Sequence, residues 1–220
     1  MIGILSISIL MLIAVEGTVA FRIVRTPSLD NLFDFKADGL QASLSEPNWD
    51  EDNAVNIVPG SIIPKDPQIT NTGDLDAWTA MKITFCYGPD AGTRAGDPLD
   101  ADDLATVLSA ITIDWNLTDW SRFDDAIPGD THLATALSQT FFYHQILEAA
   151  GPSIPAGTTN PLFTMVTINT TNTEATMIAL KAMGGFQIFV EGCAVQSEVT
   201  AAMTDTTAQT TFSFANTPGP

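Results

Sequence analysis

The side chains able to do chemistry are few. The two histidines of the chain, His132 and His144, stand twelve residues apart. Zinc proteases of the HExxH type need two histidines at i and i+4, which puts both ligands on one helical face, and twelve is not that spacing. His144 follows Tyr143 in a strand-like run, so a sheet-surface position is its simpler assignment. No G-x-S-x-G, glycine-rich phosphate loop or C-x-x-C occurs. Carboxylates are plentiful, but they sit in loop-like stretches without apolar surroundings to push one pKa away from another. Asp50, Glu51 and Asp52 of NWDEDN could touch a Ca²⁺, whose shell takes several oxygens. The D-x-[DN]-x-[DN]-G spacing is absent, however, and a solvated acidic loop is the expectation. This inventory predicts no catalytic residue, no cofactor and no metal ligand. Cys86 and Cys193 remain. Each falls on the polar-facing register of its run, Cys86 two residues from Thr84 and Cys193 two from Glu191. A disulfide is open to them if their strands are neighbours in an oxidising compartment, and two separate thiols are the alternative.

The elements that must position these residues read as strands. Val55–Phe85 holds two strand-like runs hinged on turn residues. Pro59-Gly60 suits a type II turn, with proline fixing the first φ and glycine taking the positive one. Pro59, Pro64 and Pro67 lie in or around Ile57–Thr70, which marks that run as an edge strand or a broken one, because proline donates nothing to a ladder. After Asn71-Thr72-Gly73-Asp74 the residues alternate, with Met81, Ile83 and Phe85 apolar and Lys82 and Thr84 polar. That period predicts one wet face and one face on a core.

Further strands are expected over Ala37–Leu44, Ile111–Trp120, Thr140–Leu147, the end of Pro155–Asn169, Phe186–Ala194 and Thr206–Phe214. Asp100 can cap a helix reaching Ala110, and Thr173–Ala182 suits either a short helix or a strand. Trp49, Trp78, Trp115 and Trp120 are expected in the core or at a sheet rim. Short strands between Pro/Gly turns, with one minor helix, predict an all-β antiparallel sandwich of jelly-roll or immunoglobulin-like type. At 220 residues such a domain can bury a core without disulfide or metal.

Eight basic against 26 acidic residues leave a net charge of −18. Nucleic acid and anionic membrane are thereby disfavoured as partners, since no basic cluster exists to release counterions from phosphates. Within Met1–Ala20 an apolar run from Ile2 to Val15 is followed by small residues at Thr18 and Ala20, the pattern of a signal peptide with its cleavage site. Its alternative is a retained apolar N-terminal helix, because no basic residue precedes the run and Arg22 and Arg25 follow it. Residues 21–35 would then form an arm and 36–220 the sandwich domain. The arm alternates apolar and polar residues without an evident hairpin partner, which suits a first strand or a strand donated to a neighbouring subunit.

Several blocks carry a family resemblance. Pro59-Gly60, Ile63-Pro64-Lys65-Asp66-Pro67, Thr70-Asn71-Thr72-Gly73, Asp76-Ala77-Trp78 and Met81-Lys82-Ile83-Thr84 resemble the central motif of the TasA/camelysin-like exported proteins of Gram-positive bacteria. Ser43–Gly60 and GFQIFVEGCAVQSE at Gly185–Glu198 are similar to the same family, so that the likeness spans roughly residues 17–198. The resemblance implies export, signal removal near Phe21 by a dedicated peptidase, and a secreted or cell-surface place. It implies a structural role in an extracellular fibre, with further copies of the chain and related minor subunits as partners and the membrane met only during export. Under that implication Phe21, Ile23, Leu29, Leu32 and Phe33 are the candidate donor-strand residues. Camelysin-like relatives classed as metalloproteases supply one alternative, and a monomeric surface or binding module another.

Overall fold

The computed structural model describes residues 39–122, 138–150, 155–197 and 212, with the backbone of Ile23–Arg25. Its strands are β1 (Ile23–Arg25), β2 (Ala42–Ser45), β3 (Ile62–Pro64), β4 (Gln68–Asn71), β5 (Ala77–Tyr87), β6 (Ile111–Ile113), β7 (Trp120–Arg122), β8 (Ser138–Tyr143), β9 (Met165–Ile168) and β10 (Phe186–Gln196). The helices are α1 (Ala101–Ala110) and α2 (Glu174–Ala182). All pairings are antiparallel, in one five-stranded sheet ordered β1-β10-β5-β8-β7, a pair β2-β4, and a three-stranded sheet β3-β9-β6. The main core joins Met81, Ile83, Phe85, Phe141 and Val190 of the large sheet to Ile69, Ile63, Val166 and Ile168 of the small ones. The molecule is an all-β sandwich.

Local chemistry explains most of these elements. Ser61 N–H donates to the Val58 carbonyl at 3.0 Å across Pro59-Gly60, and Gly60 takes φ +91°, the backbone of a type II turn. The prolines that follow confine β3 to an edge of its sheet. Asp100 caps α1 by accepting from Asp103 N–H at 3.0 Å, and Leu104 and Val107 face the core. Thr173 caps α2 through Thr176 N–H, so the ambiguous stretch is a helix.

Four expectations are corrected. The strand over Ile111–Trp120 stops at Ile113, because the Asp114 carboxylate turns aside to accept from the N–H groups of Thr164 and Met165. The chain then crosses into the other sheet at Trp120. The strand expected at Thr140–Leu147 is Ser138–Tyr143, and that expected at Ala37–Leu44 is Ala42–Ser45. The face of β5 expected to be wet is covered: Trp78, Ala80, Phe142, Cys193, Val195 and Phe212 form a second apolar cluster there. On that face Lys82 pairs with Glu191 at 3.4 Å, and both are largely buried. Thr79, on the opposite face, is fully buried.

Tyr87 ties the end of β5 to α1. Its hydroxyl is shared between the Asp103 and Asp100 carboxylates at 2.7 and 2.9 Å and accepts from Arg94 at 2.7 Å. Burial, then the Asp103 hydrogen bond, push the phenol up to about 12. A raised folded pKa means the contribution of the neutral phenol is complete below its unfolded value of about 10 and is lost as pH rises toward 12. The chain has two tyrosines, Tyr87 and Tyr143. Phenolate absorbance of the native protein is expected to stay incomplete until pH approaches 12; full ionisation near pH 10 would contradict this setting.

Candidate functional site

Among the described residues, one side of β10 in the large sheet is paired over part of its length. β10 pairs with β5 along all eleven of its residues, Phe186 opposite Tyr87 through to Gln196 opposite Ala77. On its other side β1 covers only three: Ile23 opposite Val195, Val24 opposite Ala194 and Arg25 opposite Cys193. Among the described residues no strand continues this pairing along Phe186–Glu191. Alternate amides and carbonyls of a strand at a sheet edge point away from its paired neighbour, which is the chemistry a further strand recognises. Ile23 is the one donor-strand candidate within the described backbone; Phe21, Leu29, Leu32 and Phe33 lie outside it, as do His132, Met1–Ala20 and all of Thr206–Phe214 but Phe212.

The cysteines occupy neighbouring strands and do not meet. Cys86 stands opposite Gln187 and Cys193 opposite Ala80, an offset of six positions along the ladder (86 − 80). At roughly 3.3 Å per residue that is about 20 Å, whereas a disulfide needs Cα atoms within about 7 Å. Both are buried free thiols, which corrects the disulfide alternative. Burial, then the charges of Asp97 and Glu191, raise the Cys86 thiol to about 11. The folded protein is expected to resist a thiol reagent at neutral pH and to take up two equivalents once denatured. Rapid labelling of the native chain would contradict this.

A buried amine is the feature that the sequence did not announce. Glu46 follows β2 and Lys65 follows β3, so their meeting joins the two small sheets. Lys65 Nζ lies 2.6 Å from both Glu46 carboxylate oxygens, with side chains 5% and 1% exposed. The Trp49 indole roofs the pair, its centroid 4.7 Å from Nζ. Asp66 beside them is itself buried and accepts from Asn48 N–H and Nδ2 at 2.8 Å and from Gln68 at 3.3 Å. Desolvation raises the Glu46 pKa and lowers that of Lys65, each opposed by the attraction of its partner. Only the chance pairing of a Glu-Pro and a Lys-Asp-Pro nineteen residues apart hints at this in the sequence.

The remaining polar groups are engaged locally. His144 Nδ1 donates to the Thr118 carbonyl at 3.0 Å, and Nε2 shares a hydrogen bond with Ser121 Oγ at 2.7 Å. This arrangement clips the turn before β7 to the end of β8. Asp50 caps a short 3-10 turn, Glu51–Ala54, by accepting from Asp52 N–H at 3.0 Å. Among the described residues no three of His, Cys, Asp and Glu converge as a metal site would, and no helix is long and apolar enough to cross a membrane.

The fold is an antiparallel β-sandwich whose five-stranded sheet seats β1 beside β10. No family model matches the chain, and no curated protein or solved structure is significantly similar to it.

Proposed function

We propose that the chain is an exported structural subunit that assembles into extracellular filaments by passing its N-terminal strand to the β10 edge of a neighbour. The observation that carries this reading is the β1–β10 pairing: an N-terminal segment lies antiparallel on β10, Ile23 opposite Val195 through Arg25 opposite Cys193. Such a ladder exchanges at little cost for the same ladder made with another copy, because the main-chain bonds are identical in both. Passing the strand in one direction from copy to copy gives a head-to-tail contact, which grows into a filament where the rotation does not close. The TasA/camelysin-like resemblance and the −18 charge, which favours solubility outside the cell, support the same reading. Further copies and related minor subunits are the partners it implies, on a secreted or surface-attached fibre. The chain beginning at Phe21 is expected to give filaments of regular axial repeat by negative-stain microscopy, and deletion of Phe21–Phe33 to abolish them. A stable monomer at high concentration, seen by size-exclusion chromatography, would sink the proposal.

A further inference from the structure

The Lys65–Glu46 pair places a nucleophile and an acyl group in contact, away from water. An amine on a flexible stem reacts with a carboxyl carbon when the two are held close and the amine is uncharged. Here Nζ touches both carboxyl oxygens at 2.6 Å, each side chain is nearly inaccessible, and the Trp49 ring closes the outer side. Reacting groups held close and well oriented gain effective molarities of up to about 10⁵–10⁸ M over the same groups free in solution, an advantage available here once the carboxyl face is turned to the amine. Left as ions, the two charges cost desolvation that their attraction repays only partly.

We propose that Lys65 and Glu46 condense into an intramolecular amide, a permanent cross-link between the segments that follow β2 and β3. A proton first passes from the ammonium to the carboxylate, giving neutral amine and carboxylic acid. The carboxyl plane turns about Cγ–Cδ to offer its face, and the Nζ lone pair adds to Cδ as the carbonyl π bond opens. A proton moves from nitrogen to a hydroxyl oxygen, the C–O bond breaks, and one water leaves. Nothing is oxidised or reduced, and no co-reactant is consumed. Burial favours the first step, since desolvation moves both groups toward their neutral forms. Once the water has left, the same Trp49 roof keeps solvent from hydrolysing the bond. The cross-link would tie the β2-β4 pair to the β3-β9-β6 sheet, so that tension on one is carried covalently by the other.

The folded chain is to be aged, denatured, weighed by intact mass spectrometry and digested with a lysine-specific protease. The expected result is a mass one water below that of the sequence, no cleavage after Lys65, and a branched peptide joining Lys65 to Glu46. Lys65→Arg, which keeps the cation but lacks the primary amine, is expected to show its full sequence mass. Full mass in the native chain, with complete cleavage after Lys65, would leave an ion pair only and overturn the proposal. A water loss that persists in Lys65→Arg would overturn it too, because the dehydration would then lie elsewhere.

Discussion

Arg25→Cys, oxidised during assembly, is expected to give a ladder of covalent multimers on a non-reducing gel. In the register of β1 on β10, position 25 stands directly opposite Cys193. Directly opposed residues on antiparallel strands have Cβ atoms about 4.5–5.5 Å apart, close to what a disulfide spans. The new thiol therefore bonds to whichever Cys193 its own strand is paired with. If the strand is passed on, every bond joins two copies and the product runs as a series; if the strand stays home, every bond is internal and the product runs as a monomer. Cys193 is buried and in no disulfide with Cys86. A population wholly of internally bonded monomer under filament-forming conditions would refute strand exchange at this edge, while leaving the sandwich intact.

Against a parent chain whose full mass shows the pair still ionic, Glu46→Ala and Lys65→Ala are each expected to destabilise the fold by about 3–5 kcal/mol, the usual cost of leaving one buried charge without its partner. Lys65 also loses its place under the Trp49 ring, a contact of about 0.5–2 kcal/mol. The double change Glu46→Leu with Lys65→Met is expected to recover most of that loss, because two apolar side chains need no charge compensation. Denaturant midpoints of the three variants against the parent measure this. Single variants within about 1 kcal/mol of the parent would show that the pair is hydrated and matters little. Surface pairs give a useful contrast: Arg94 sits 3.6 Å from Asp103 and 3.8 Å from Asp100, with its side chain 51% exposed, and its removal is expected to change little.

The strand-rich fold was legible because its determinants are local. Proline and glycine fix backbone angles within one or two residues, so the Pro59-Gly60 turn and the edge placement of β3 follow from residue type. Capping is local as well, and Asp100 announces α1 from its own side chain. The alternation in Phe186–Ala194 identified β10 and its two faces for the same reason, since side chains on a strand alternate by geometry. The chemistry of isolated residues was also legible to a degree: thiols, histidines and carboxylates could be counted and their spacings compared with known ligand patterns.

Whatever depends on which segments meet was decided by the tertiary structure. Periodicity distinguishes two faces of β5 but does not say whether a second layer covers the polar one, and Trp78, Phe142 and Phe212 cover part of it. Cys86 and Cys193 do share a face of neighbouring strands, but the ladder register sets them six positions apart, and no residue type encodes that offset. Glu46 and Lys65 become a buried pair only because the ends of two different sheets converge there. By itself the sequence determined strands, turns, caps and charge, all set by interactions within a few residues. Partnership across the sheets, on which both the assembly edge and the amine–carboxylate contact depend, is a property of long-range packing, where the free energy of burial selects among many registers that local geometry leaves equal.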